Sequence, residues 1–262
     1  MKSPGSADAI PHAVMAAALE EFTAKGYADA RLDTIASSSG VSKRMLHYHC
    51  GDKMGLYRAT WEHVLEKVRP RDEDLRTNSN VPVEALQHVV GVIYDYFSAN
   101  PLAVRFIIQE NLHPVLPLEE ARGIGGQSPI VLEFDRILLL GRDYGAFRTD
   151  ISALDLYILV LSLATFPTLH QRTFENLYGI EMTSTVLADQ LREFAQDTVT
   201  SLLTASPRNA PGSSYTSLLA SHATTDSALG AEVYGDDEID DAADSAAGDD
   251  APDFRDIYGM DD

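Results

Sequence analysis

Cysteine, positive charge and long apolar runs are all scarce in this sequence. One cysteine, Cys50, stands among 262 residues. That excludes an internal disulfide framework and any zinc site built from several cysteines. Lys and Arg number 20 against 40 Asp and Glu, a net charge of −20. Over the whole chain this argues against a nucleic-acid binder, whose domain is usually basic. The most apolar stretch, residues 154–166, is too short to cross a bilayer. Residues 1–8 are small and polar, without the apolar centre of a secretion signal. The expectation is a cytoplasmic protein with no membrane segment.

What is present changes the reading of the charge. Residues 1–71 carry +2, residues 72–205 carry −10 and residues 206–262 carry −12. The deficit of base therefore lies outside the N-terminal part. The remaining composition, 45% hydrophobic and 23% charged, is that of an ordinary globular chain with a sizeable core.

Helical spacing dominates the pattern. Ile10, Val14, Ala17, Ala18 and Phe22 lie three or four apart, and Gly26 is a stop signal. A short piece over 32–38 follows, broken by Gly40, and another begins after Ser42, a good N-cap. Asp52 can cap the next helix, whose Leu56, Tyr57, Trp61, Val64, Leu65 and Val68 share a face and which ends before Pro70. Val83, Leu86, Val90, Ile93, Tyr94 and Phe97 mark a further amphipathic helix, ended by Asn100 and Pro101. Helices are expected over 102–112 and over 130–140 up to Gly141, with a loop at 123–128 and a second break at Gly145. Two long helices, over 153–178 and 184–204, complete the pattern. The first is apolar almost all round between 154 and 166, which predicts burial on more than one side. The second carries Leu187, Leu191, Phe194, Thr198 and Leu202 near heptad spacing, a seam for another helix. No long segment alternates like a strand, so the fold class is all-α. Residues 206–262, rich in Ser, Ala, Gly and Asp and without sustained period, read as a disordered acidic tail. Its alternate acids at 235–241 lack the glycine and glutamate of a calcium loop. Phe254, Ile257, Tyr258 and Met260 leave an interaction role for it open.

Two short helices joined by a glycine turn inside a small helical domain outline a helix-turn-helix. Ile35 and Ala36 pack from the first helix, Ser38, Ser39 and Gly40 make the turn, and Val41 and Leu46 point inward. Lys43, Arg44, Met45, His47 and Tyr48 are left outward or partly so. The stretch from Ile10 to Val68 resembles the TetR family of transcriptional regulators. The resemblance is carried by Ala18, Phe22, Gly26 and Tyr27, by Ile35, Ala36, Gly40, Val41 and Ser42, and by Leu46, Tyr48, His49, Lys53 and Leu56. Two positions depart from it: His47 stands where the family usually has Tyr, and Cys50 where it has a large apolar residue.

The resemblance implies a three-helix DNA-binding domain over 1–70, with the helix-turn-helix at about 31–50, and a helical ligand-binding and dimerisation domain over 71–205. It implies that the second helix of the motif enters the major groove. By position, Lys43, Arg44, Met45 and His47 face base edges, while Thr34, Tyr48 and Lys53 face phosphates, and Ser42 belongs to the same set. Implied partners are double-stranded DNA with a palindromic site, a second copy of the chain and a small-molecule effector. Gly145, Phe147, Arg148 and Asp150 form a run often seen in such proteins. Tyr94, Phe97, Phe106, His113, Phe134, Phe166 and His170 are candidates for an effector pocket, each with plain core as the competing reading.

No cofactor or metal is expected. His47 and His49, two apart on a helix, face opposite sides, and His47 with Cys50 supplies too few ligands. No nucleophile–base pair or phosphate-binding glycine loop points to an enzyme. Two alternatives stay open: a helical small-molecule-binding protein without operator function, and an α-helical enzyme.

Overall fold

The computed structural model describes residues 10–77, 79–117, 128–206 and 215. The chain divides into two units, Met1–Leu218 and Leu219–Asp262, and every described residue belongs to the first. The loop expected at 123–128, apart from Ser128, and nearly all of the acidic segment 206–262 lie outside the described residues.

Among the described residues all regular structure is helical. The N-terminal bundle consists of α1 (His12–Asp29), α2 (Leu32–Ser39), α3 (Lys43–Cys50) and α4 (Lys53–Val68). Helix α1 buries Val14, Ala18, Leu19 and Phe22 and is interrupted at Gly26, whose φ of 74° no helix allows. The rest of the chain forms α5 (Asp72–Leu75), α6 (Pro82–Ser98), α7 (Pro101–Leu112), α8 (Pro129–Asp143), α9 (Ala153–Tyr178) and α10 (Thr185–Thr204). Prolines at the starts of α6, α7 and α8 fit because the first helical N–H needs no partner. Helix α6 is the centre, packed against α4, α8, α9 and α10. Its Leu86, Val89, Val90 and Ile93 are fully buried. Each such side chain contributes about 1.5–3 kcal/mol relative to exposure.

Three expectations need correction. Gly141 does not end α8, which continues to Asp143. The glycine is there for space, because a Cβ on it would stand 1.9 Å from Phe147 Cδ2. Gly141→Ala is therefore expected to destabilise by about 1–3 kcal/mol through overpacking, although alanine alone favours a helix. A urea midpoint at or above that of the parent would contradict this.

Secondly, the expected seam of α10 is divided, with Leu191 and Leu202 packed partly buried against the core and Phe194 left outside. Ala195, Val199 and Leu203 are the row buried against α6, while Phe194 is 59% exposed. Polar contacts flank this row on the α6 side. A Cβ on Gly91 of α6 would meet the Arg192 guanidinium at 2.5 Å, and Gln196 Nε2 donates to Gln87 O at 2.7 Å.

Thirdly, α9 is buried on one side rather than several. Leu156, Val160, Ala164 and Thr168, four apart, face the bundle, whereas Ile158 and Leu169 are 48% and 47% exposed. The run at 154–166 also belongs to a longer helix, whose 26 residues are long and apolar enough to cross a membrane. The same composition suits a bundle helix, and its inner row is packed on α6 and α8. Ser152 and Asp155 form a reciprocal cap at its start.

Between α8 and α9, Arg148 Nε and Nη2 donate to the two Asp150 carboxylate oxygens at 2.6 Å each. Both side chains are buried. The Arg148 backbone N–H donates to Leu203 O at 2.9 Å, satisfying one of the last carbonyls of α10.

Candidate nucleic-acid interface

The turn between α2 and α3 is set by its hydrogen bonds. Gly40, at φ 72°, lets its own N–H reach Ser37 O and the Val41 N–H reach Ala36 O. This is the paired arrangement that ends a helix with a left-handed residue. Ser42 Oγ then accepts from Met45 N at 3.2 Å, so α3 starts capped. Ile35, Ala36 and Leu46 close the inner side of the motif. Eight residues of rigid helix remain with an open outer face.

On that face Lys43, Arg44, Met45, His47 and Tyr48 are exposed, Tyr48 at 73%. Thr34 is exposed on α2. The side chains are not equally available. Lys43 Nζ is ion-paired with Asp33 at the start of α2. Arg44 has no hydrogen-bond or ion-pair partner among the described residues. His47 Nδ1 lies 2.8 Å from Gly51 O. That carbonyl can only accept, which assigns the proton to Nδ1 and turns Nε2 outward as the remaining hydrogen-bonding atom. The Ser42 hydroxyl keeps its own hydrogen for a phosphate.

Lys53 is half-buried. Its ammonium donates to Ala28 O at 2.9 Å and lies 5.0 Å from the centre of the Tyr27 ring. Two of its three N–H donors remain for a phosphate. The start of α4 is less open to an anion than its position suggests, because Asp52 Oδ1 already accepts from Gly55 N at 2.7 Å. Cys50 packs partly buried against the core, and burial pushes its thiol pKa up.

The candidate pocket residues do not converge on one cavity. Tyr94, Phe97, Phe106 and Phe134 are buried core. Burial, with Asp95 as the smaller cause, pushes the Tyr94 hydroxyl up to about 12. Phe106 packs with Tyr57 at 5.0 Å and Trp61 at 6.3 Å, joining α7 to α4. His113 is exposed beyond α7. Phe166 stacks on His170 at 4.1 Å on the outer side of α9. There Phe166 lines an apolar groove of about 430 Å³ with Leu163, Leu187, Leu191 and Phe194.

Two features had no local signal in the sequence. One is the Asp33–Lys43 pair, which spans a turn. The other is Glu110 of α7, whose Oε2 accepts from Tyr57 OH at 2.6 Å and whose Oε1 accepts from Val115 N and Leu116 N at 3.0 and 2.8 Å.

Comparison with known proteins gives one consistent picture. Residues 14–60 match the family model described as bacterial regulatory proteins, tetR family. Residues 82–199 match that of the tetracyclin repressor-like C-terminal domain. The chain is 27% identical over 172 residues to the HTH-type transcriptional repressor NicS of Pseudomonas putida, covering 64% of this chain and 80% of that one. It is 26% identical over 156 residues to the HTH-type transcriptional repressor SCO4008 of Streptomyces coelicolor, covering 58% and 75%. The fold is shared with the TetR family transcriptional regulator PfmR of Thermus thermophilus, with a TM-score of 0.54 and 21% identity over 74% of this chain and 99% of that one.

Proposed function

This chain belongs to the TetR family of DNA-binding transcriptional regulators, and from that premise we propose that it is a ligand-responsive repressor that holds a palindromic operator as a homodimer. The observation that carries the reading is the capped helix α3, with Lys43, Arg44, Met45, His47 and Tyr48 exposed on its outer face among the described residues. Arg44 and Lys43 suit guanine O6 and N7, Met45 a thymine methyl, and Thr34, Ser42, Tyr48 and Lys53 the flanking phosphates. One such helix reads too few bases for useful specificity, and two related by a two-fold axis read a palindrome. The open apolar sides of α9 and α10 supply the face for a second copy. Residues 1–70 act as the DNA-binding domain and residues 71–205 as the domain for effector and dimer. A protein acting on DNA in this way works in the cytoplasm. Within the earlier pocket set, His113, Phe166 and His170 are the accessible members, and the other four serve as packing.

The repressor role follows NicS and SCO4008, both described as repressors. A shift assay on the DNA upstream of the protein's own gene tests the assignment. Arg44→Ala is expected to weaken specific binding by about 1–3 kcal/mol, and binding should fall steeply with salt. If Lys43, Arg44 and Lys53 can all be changed to alanine without loss, α3 is not the reading helix.

The charge of residues 206–262, −12, carries its own expectation. A polyanion tethered to the dimer competes with phosphates for the basic face over a screening length of about 8 Å at physiological salt. Truncation after residue 205 should leave DNA affinity unchanged or raise it, with the gain fading as salt rises. Weaker binding by an intact truncated dimer would make the segment a participant in recognition.

A further inference from the structure

We propose that the cleft between α1, α7 and α9 is a binding site for a small organic monocarboxylate, and that its occupant is the effector; the second half rests on the ligand-responsive reading above. The cleft holds about 700 Å³, within the range of small-molecule sites. Glu20 and Thr23 come from α1, Arg105 from α7, and Thr168, Gln171 and Arg172 from α9. Leu102 and Ile108 add apolar wall.

Charge selects the ligand class. Arg105, Arg172 and Glu20, all three exposed, line the cleft, so it carries a net +1 and suits one negative charge. Arg105 spends one N–H donor on Gln171 Oε1, at 2.7 Å, and keeps four. Arg172 has no hydrogen-bond or ion-pair partner among the described residues. Thr168 is only 6% exposed, and its hydroxyl has no partner among the described residues. Thr23 Oγ1 is buried and unpartnered. A buried hydroxyl in the state of Thr23 is unfavourable until something pairs with it. A carboxylate accepts from hydroxyls and guanidiniums alike, and Arg binds it through two parallel donors. The apolar wall takes the organic body, which inorganic phosphate lacks.

The position supplies a route to DNA. Helix α1 packs on α2 and α4 and so carries the helix-turn-helix, while α7 and α9 belong to the central bundle. A ligand that ties α1 to α7 and α9 favours one arrangement of the two parts, and DNA favours one as well. That is coupling between two sites through two states.

Calorimetry of the full chain with benzoate, 1-naphthoate and octanoate tests the site, with octylamine and inorganic phosphate as controls. At least one carboxylate is expected to bind and both controls to fail. Arg105→Ala and Arg172→Ala should each weaken binding tenfold or more, and Glu20→Gln should tighten it several-fold. Thermal melts of the three variants confirm that they fold. No heat with any carboxylate, or equal affinity in the double arginine variant, overturns the site. At saturating carboxylate, operator affinity should change at least tenfold in the parent and not in the double variant. Carboxylate binding with unchanged operator affinity overturns the effector role. A parent chain that binds carboxylate yet no operator at all leaves the site standing and removes the repressor reading instead.

Discussion

Phe194→Asp is expected to turn the protein into a monomer that no longer holds a palindromic operator. Phe194 is 59% exposed in the single chain, beside Leu187 and Leu191 at the groove shared with Leu163 and Phe166. Ile158, Leu169, Leu177 and Val186 are also more than 40% exposed on the same two helices. Apolar surface gathered this way on one part of a molecule marks an interaction site. In a two-fold interface each substitution acts twice. Truncating one aromatic anchor at the centre of an interface costs about 2–4 kcal/mol, and a buried unpaired carboxylate costs more. The fold of the monomer should survive, because the row holding α10 to α6 is Ala195, Val199 and Leu203 rather than Phe194. Val199→Asp, on that inner row, should unfold the chain instead. Sedimentation velocity with circular dichroism separates the cases. A folded Phe194→Asp dimer would move the interface away from α9 and α10.

The same pair of rows explains what was legible in the sequence. Helix boundaries around the motif were legible because their causes are local: Ser42 and Asp52 cap, and Gly40 takes a left-handed φ. The outward set on α3 was legible for the same reason, since eight residues with Leu46 turned inward leave the others outside. Which stripe of α10 faces its own chain was not. Rows at 194, 198, 202 and at 195, 199, 203 are offset by one residue, about 100° on a helix. The choice is made by packing on α6, about a hundred residues earlier, where Gln196 reaches Gln87 O and Arg192 reaches Asp95. Gly141 carried the same local signal as a helix stop, and only the ring of Phe147 shows why it is a glycine. The pocket candidates are mostly aromatic rings on amphipathic helices, and that property also defines a core. The cleft lined by Arg105 and Arg172 was invisible because polar residues on three separate helices share no spacing.

The least legible contact carries the second large prediction. Glu110→Ala should destabilise the protein by about 3–6 kcal/mol, because it strands three donors at once. Tyr57 OH, Val115 N and Leu116 N all end on its carboxylate, and Glu110 is 8% exposed. Each buried donor left without an acceptor costs about 1–3 kcal/mol. Tyr57→Phe removes one donor together with its need, and should cost about 1 kcal/mol. Burial first, and Glu110 second, raise the pKa of the Tyr57 hydroxyl, so it remains a donor across the working range of pH. Glu110→Gln falls between the two. Its carbonyl oxygen still serves both backbone N–H groups, but its NH2 faces a hydroxyl that must turn to accept. Adding Tyr57→Phe to Glu110→Gln should therefore give a coupling term, measurable as non-additive urea midpoints. The contact joins α4 of the helix-turn-helix bundle to α7, beside the Phe106 packing on Tyr57 and Trp61. Trp61 is the chain's one tryptophan, so its fluorescence reports on that junction directly. Glu110→Ala should alter Trp61 emission in the folded protein before the global transition. Unchanged emission with additive midpoints would show that Glu110 only closes the end of α7 and does not hold α4.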